Sequence, residues 1–152
     1  MKLYFAYGSN MRKTHMKARC PQSRRAGNAV LGDWRWLIAA DGYANVVPAA
    51  GDSVKGVLYE IGYADEVALD ASEEVTPGAF GKRSLPVLFN GRTLLAMVYV
   101  NTGVTEGKAE PEYSQQLLSG FAETGANNEY LDKHVRRFLP AVVSAASPSA
   151  LP

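Results

Sequence analysis

The chain has little that binds metal, crosses a membrane or attracts polyanions. There is one cysteine, Cys20, so an internal disulfide is excluded, and no CxxC pair exists to suggest a zinc or redox site. The two histidines, His15 and His134, are far apart and lack companions at metal-ligand spacing, so no metal site is expected. The formal net charge is only +1, too small to draw the whole chain to nucleic acid or an anionic membrane. There is no apolar run long enough for a transmembrane span, and Met1-Lys2-Leu3-Tyr4-Phe5-Ala6 turns polar before it could be a signal peptide. A cytoplasmic location is the expectation.

What is present is one domain's worth of chain. With 152 residues, 47% hydrophobic and 20% charged, a sizeable core can form without staples. The expected division is a single domain over 1–140 and an Ala/Ser/Pro-rich tail over 141–152. Leu3 to Ala6 reads as a short buried strand stopped by Tyr7-Gly8-Ser9-Asn10, with a helix over Met11 to Ala18 capped by Asn10. Ala26 to Ala40 reads as two strands broken near Gly32-Asp33, and Ala44 to Val47 as another ending at Pro48. Val54 to Ile61 is a further strand, in which Gly56 marks a bulge or close backbone approach. A short helix spans Ala64 to Asp70. Leu85 to Phe89 and Arg92 to Val100 flank Asn90-Gly91, the pair favoured in two-residue hairpin turns. Beyond Gly107 the period lengthens: Tyr113, Leu117 and Phe121 share a helical face between Pro111 and Gly125, and a last helix covers Asn128 to Phe138. About six short strands followed by helices predict an α+β fold, a small and mostly antiparallel mixed β-barrel with flanking helices.

Two elements can carry chemistry. The Tyr7-Gly8-Ser9-Asn10 turn is either an ordinary tight turn or a nest of backbone N–H groups able to hold an anion; local chemistry alone favours the former. Glu73-Glu74 is either a solvated pair or, if one side chain is enclosed, a proton carrier with a raised pKa. The basic run Arg12, Lys13, Lys17, Arg19, Arg24 and Arg25 reads as a solvated face, balanced by acid elsewhere, or as a guide for anionic substrates. Trp34 and Trp36 alternate on one strand and point together, as packing residues do. Cys20 reads as structural.

The order of several segments resembles the γ-glutamylcyclotransferase family, also called AIG2-like. The segments are Tyr4-Phe5-Ala6-Tyr7-Gly8-Ser9-Asn10, Arg19-Cys20-Pro21, Ala44-Asn45-Val46-Val47-Pro48, Val54-Lys55-Gly56-Val57-Leu58-Tyr59, and Leu69-Asp70-Ala71-Ser72-Glu73-Glu74-Val75 leading to Gly78. Pro111-Glu112-Tyr113 through Gly120, Gly125 and Glu129-Tyr130 completes the likeness, which runs from Leu3 to about Phe138. The resemblance implies a small mixed barrel and a cofactor-independent enzyme. It would cleave a C–N bond by lactam formation, turning the γ-glutamyl group of an amine or peptide into 5-oxoproline.

The same resemblance implies Glu73 as the catalytic acid/base, with Tyr4, Phe5, Ala6, Tyr7, Gly8, Ser9, Asn10 and Tyr113 binding substrate. The implied partner is a small γ-glutamyl compound, not nucleic acid or membrane, for a monomer or homodimer. The alternative is a non-catalytic small-ligand or accessory domain of the same fold. The chain departs from the family at three places: Glu74 follows Glu73 where glycine is usual, Phe80 replaces a common tyrosine, and Ala126-Asn127 replaces a frequent Leu-Pro. These departures bear on the leaving amine.

Overall fold

The structure, a computed structural model, describes residues 1–72 and 80–140. Glu73, Glu74 and the expected tail over 141–152 therefore lie outside the described residues. Five strands, β1 (Lys2–Ala6), β2 (Arg24–Ile38), β3 (Ala44–Ile61), β4 (Phe80–Phe89) and β5 (Arg92–Asn101), close into a barrel in the order β1-β3-β2-β4-β5. The β1–β5 contact is parallel and the other pairings are antiparallel, so the sheet is mixed, as expected. Among the described residues four α-helices flank it: α1 (Lys13–Arg19), α2 (Tyr63–Asp70), α3 (Pro111–Glu123) and α4 (Asn128–His134). None of them is long and apolar enough to cross a membrane.

The expected breaks in the ribbon were misplaced, for one physical reason. Gly32-Asp33 does not divide β2, and Pro48 does not end β3. Gly32 pairs with Ser53 and Trp34 with Pro48, so the two apparent breakers face each other across a single β2–β3 irregularity. Asp33 takes a positive φ of 66°, and its carboxylate accepts the N–H of Gly51, itself at φ 85°. A proline is tolerated at such a bulge, where one ladder donor is already lost. The ribbon kinks and continues, so the segments expected on either side of each apparent breaker merge into β2 and β3, and the barrel has five strands where about six were expected. The hairpin turn follows expectation, with Asn90 and Gly91 at φ 50° and 76° joining β4 to β5.

Gly56 also has the close approach its position suggested. A Cβ there would lie 2.4 Å from the Ala6 carbonyl oxygen and 2.6 Å from the Phe5 ring, so only glycine lets β1 seat against β3. Trp36, Tyr59, Phe5, Leu31 and Leu58 are among the buried core residues. The α3 face predicted from Leu117 and Phe121 closes over them: the Phe121 ring meets Trp36 edge-on at 5.4 Å, and Phe138 does so at 5.9 Å. Phe138 belongs to a 3₁₀ turn, Arg136–Phe138, so the last helix is shorter than the sequence suggested. Near the N-terminus the difference is larger. A 3₁₀ turn over Ser9–Met11 precedes α1, which starts at Lys13 rather than Met11 and is preceded by Arg12 rather than capped by Asn10. The Asn10 side chain is engaged elsewhere.

Candidate active site

Where β1 ends, a cavity of mixed polar and apolar lining opens. It is lined by Tyr4, Tyr7, Gly8, Asn10, Ala44, Leu69, Ser72 and Tyr99 and has about 370 Å³ of free space including its mouth. Four of these, Tyr4, Tyr7, Gly8 and Asn10, come from the first ten residues. They form one wall.

That wall is fixed by groups distant in sequence. The Trp36 indole N–H donates to the Tyr7 carbonyl at 2.8 Å, and the Tyr7 hydroxyl donates to the Tyr99 carbonyl at 2.6 Å. Asn10 donates to the Tyr4 hydroxyl at 3.0 Å through Nδ2 and accepts from Arg19 at 2.9 Å through Oδ1. Its carbonyl accepts the Tyr59 hydroxyl at 2.8 Å, and Arg25 reaches both Tyr59 and the Met11 carbonyl. Ser9 Oγ lies 3.2 Å from His15 Nε2. This is why Asn10 is not a helix cap: its amide is drawn between β1 and α1. Two members of the basic run, Arg19 and Arg25, thus turn inward to hold the loop, while Lys13, Lys17 and Arg24 remain exposed.

Burial pushes Tyr59 up to about 12 despite the opposing pull of Arg25, so its hydroxyl stays a donor at neutral pH. Tyr99 is also raised, first by burial and then by its hydrogen bond to Asp70. Cys20 is buried and, chiefly by desolvation, pushed up to about 11, which makes it a neutral thiol packed in the core rather than a nucleophile.

The opposite wall comes from the end of α2. Leu69 is buried there, the Ala71 N–H bonds back to Val67 and the Ser72 N–H to Leu69, and Ser72 reaches the cavity. Glu73, the next residue in the chain, falls outside the described residues with Glu74. Asp70 accepts the Tyr99 hydroxyl at 2.5 Å and Lys82 Nζ at 3.1 Å. Lys82 also bonds Glu66, which Lys2 meets from β1; those two donors hold Glu66 below the usual carboxylate range.

The remaining residues singled out in the sequence are placed differently. Phe5 and Ala6 are wholly buried. Ser9 and Tyr113 line a wider neighbouring groove of about 1160 Å³ with His15, Arg19, Asp41 and Tyr43. Tyr113 is tied to the cavity indirectly: its hydroxyl accepts the N–H of Ala44, a cavity residue, and its ring meets Tyr43 edge-on. Residues that sequence reasoning did not single out for the site are Ala44, Leu69, Ser72, Tyr99, Tyr59 and Asp70. Trp36 was read only as packing. Among the described residues no group of His, Cys, Asp and Glu is placed to hold a metal ion.

The closed mixed barrel thus carries, beside the turn after its first strand, a cavity of the size that small-molecule sites have. Comparison with known proteins makes this specific. Residues 4–119 match the family described as "Gamma-glutamyl cyclotransferase, AIG2-like", and the chain belongs to that family. It is 27% identical over 145 residues to the gamma-glutamylcyclotransferase of Mus musculus and 26% identical over 142 residues to that of Homo sapiens. Each match covers 86% of this chain and 76% of the relative. A solved structure of a gamma-glutamyl cyclotransferase superposes with a TM-score of 0.77 at 25% identity, covering 87% of this chain and 85% of the other.

Proposed function

We propose that the chain is an enzyme of the γ-glutamylcyclotransferase type, converting the γ-glutamyl group of an amine or peptide to 5-oxoproline with release of the free amine. The observation that carries this reading is the pairing of walls in one cavity: Tyr4, Tyr7, Gly8 and Asn10 on one side, Leu69 and Ser72 on the other. Ser72 is the residue bonded to Glu73, so the reading assigns Glu73 as the acid/base that serves this cavity. Family membership and relatives named gamma-glutamylcyclotransferase support it.

The steps follow from the substrate's own chemistry. Its glutamyl unit carries both nucleophile and electrophile, since the free α-amine can fold over the γ-carbonyl. The α-carboxylate is held by the amides around Gly8 and Ser9. The amine attacks, forming the new N–C bond, and Glu73 takes the proton that the attacking nitrogen sheds. The tetrahedral centre collapses, the original C–N bond breaks, and Glu73 returns the proton to the departing nitrogen. Holding a tethered pair in near-attack geometry supplies up to roughly 7–11 kcal/mol in good intramolecular cases. The proton transfer adds about 10²–10⁴-fold. The proton to be moved belongs to an α-amine whose ordinary pKa is about 8.

The test is incubation of purified protein with a panel of γ-glutamyl amino acids, peptides and isopeptides, and with a metabolite extract, with 5-oxoproline and the partner amine quantified together. Stoichiometric release of both is expected. Saturable binding without release anywhere in the panel would instead make this a non-catalytic ligand-binding domain.

A further inference from the structure

The end of α2 is tied to the barrel by a contact that the proposed reaction does not itself use. The Tyr99 hydroxyl, buried on β5, donates to Asp70 at 2.5 Å, a short bond of the charge-assisted kind. The same tyrosine's carbonyl accepts the Tyr7 hydroxyl at 2.6 Å. One residue therefore grips both walls of the cavity, the Tyr7–Asn10 turn through its backbone and the close of α2 through its side chain. Its ring, edge-on to Tyr4 at 6.0 Å, lies in the cavity wall between them. Lys82 on β4 meets the second Asp70 oxygen at 3.1 Å and Glu66 at 2.7 Å, so α2 is held at two points one helical turn apart.

From these contacts we infer that Tyr99 and Asp70 form a positioning pair, setting the spacing between the substrate-holding turn and the segment that begins at Ser72 and carries Glu73. This rests on the proposed activity, with Glu73 as its proton carrier. The argument is one of lever length. Asp70 is three residues from Glu73, and only Ala71 and Ser72 intervene. Ser72 is already a cavity residue, bonded back to Leu69. With the Asp70 carboxylate released, the last turn of α2 loses its tie to β5, and the approach of the acid to the folded glutamyl chain becomes variable. A misplacement of about 1 Å can cost roughly 100-fold in rate. Recognition of the glutamyl carboxylate depends on the opposite wall, which keeps its bonds to Trp36, Tyr59 and Arg19. The loss therefore falls on kcat, not on KM. Neither residue is required to touch substrate for this role.

The test compares Tyr99→Phe, Asp70→Ala, Asp70→Asn and the double variant Tyr99→Phe/Asp70→Ala by kcat and KM for 5-oxoproline release. Tyr99→Phe and Asp70→Ala are expected to lower kcat by about 10- to 100-fold with KM within about threefold. Asp70→Asn, which still offers an oxygen to the hydroxyl, recovers most of the rate, and the double variant is no slower than the slower single one. A second readout does not depend on turnover: amide hydrogen exchange at Ala71 and Ser72 accelerates in Tyr99→Phe and Asp70→Ala but not in Asp70→Asn. Unchanged kcat, a loss confined to KM, multiplying losses in the double variant, or unchanged exchange at those amides each overturns the pairing. If the wild-type protein releases no 5-oxoproline from any compound, the activity reading has failed, and exchange alone decides whether Tyr99 anchors this turn.

Discussion

Replacing Tyr59 by phenylalanine isolates what holds the substrate-facing turn. Tyr59 is only 2% exposed, and its hydroxyl donates to the Asn10 carbonyl at 2.8 Å while accepting from Arg25 at 2.9 Å. Phenylalanine keeps the ring and its stacking on Tyr4, so no large cavity is left and the change is almost purely the loss of one oxygen. A buried carbonyl then lacks this donor, and Arg25 loses the Tyr59 hydroxyl as an acceptor and keeps the Met11 carbonyl. An unsatisfied buried group costs about 1–3 kcal/mol, so the expected destabilisation is about 2 kcal/mol. For a chain of this size that lowers Tm by roughly 4–8 °C. The assay is thermal and urea unfolding of wild type and variant side by side, with Tyr63→Phe as control. Tyr63 is 84% exposed on α2 and predicts no shift. Because Asn10 lines the cavity, Tyr59→Phe also raises KM for the γ-glutamyl substrate. A variant that unfolds within about 1 °C of wild type and keeps its KM would refute the idea that the turn is braced from inside the barrel.

Two further predictions concern stability. Gly56→Ala places a methyl group 2.4 Å from the Ala6 carbonyl, so β1 must shift; overpacking of this kind costs about 1–3 kcal/mol, and unfolding near the wild-type midpoint would contradict the close approach. In alkali, Cys20 (pushed up from 9 to about 11) and Tyr59 and Tyr130 (up from 10 to about 12) hold their protons in the fold longer than in the unfolded chain, and Tyr99 is raised as well. The unfolded state releases those protons first, so the stabilisation is complete below about pH 9 and declines as pH rises towards 12. Urea unfolding at pH 8, 9.5 and 10.5 measures this, and a midpoint that does not fall between pH 9.5 and 10.5 contradicts it.

Much of the barrel was legible in the sequence because its signals are local. Asn90-Gly91 announces its turn by tolerating positive φ, Gly56 by the missing Cβ, and α3 by Pro111, Gly125 and the spacing of Leu117 and Phe121. The errors came where local signals act as a pair. Asp33 and Pro48 each read as a break, and only the register, which sets Trp34 against Pro48, makes them one kink. Asn10 looked like a cap because caps are chosen by the next few residues, whereas its partners Tyr59 and Arg19 come from the barrel and from the far end of α1. The cavity shows the same limit. Tyr4, Tyr7, Gly8 and Asn10 fall within seven residues of one another and were named through the family resemblance, while Tyr99 reaches Tyr7 across 92 positions and carries no motif of its own. The alternation of Trp34 and Trp36 marked both as packing residues, and their burial agrees, but nothing local reveals that one indole N–H holds the Tyr7 carbonyl.

The most direct measurement of the central claim is the rate of 5-oxoproline formation by Glu73→Gln and Glu74→Gln, each confirmed as folded, against wild type. Removing a proton carrier lowers kcat by about 100-fold or more, so Glu73→Gln is expected to be nearly inactive while still binding γ-glutamyl substrate, and Glu74→Gln to remain within a few fold of wild type. Comparable turnover in the two variants, or loss in Glu74→Gln alone, contradicts the assignment of Glu73.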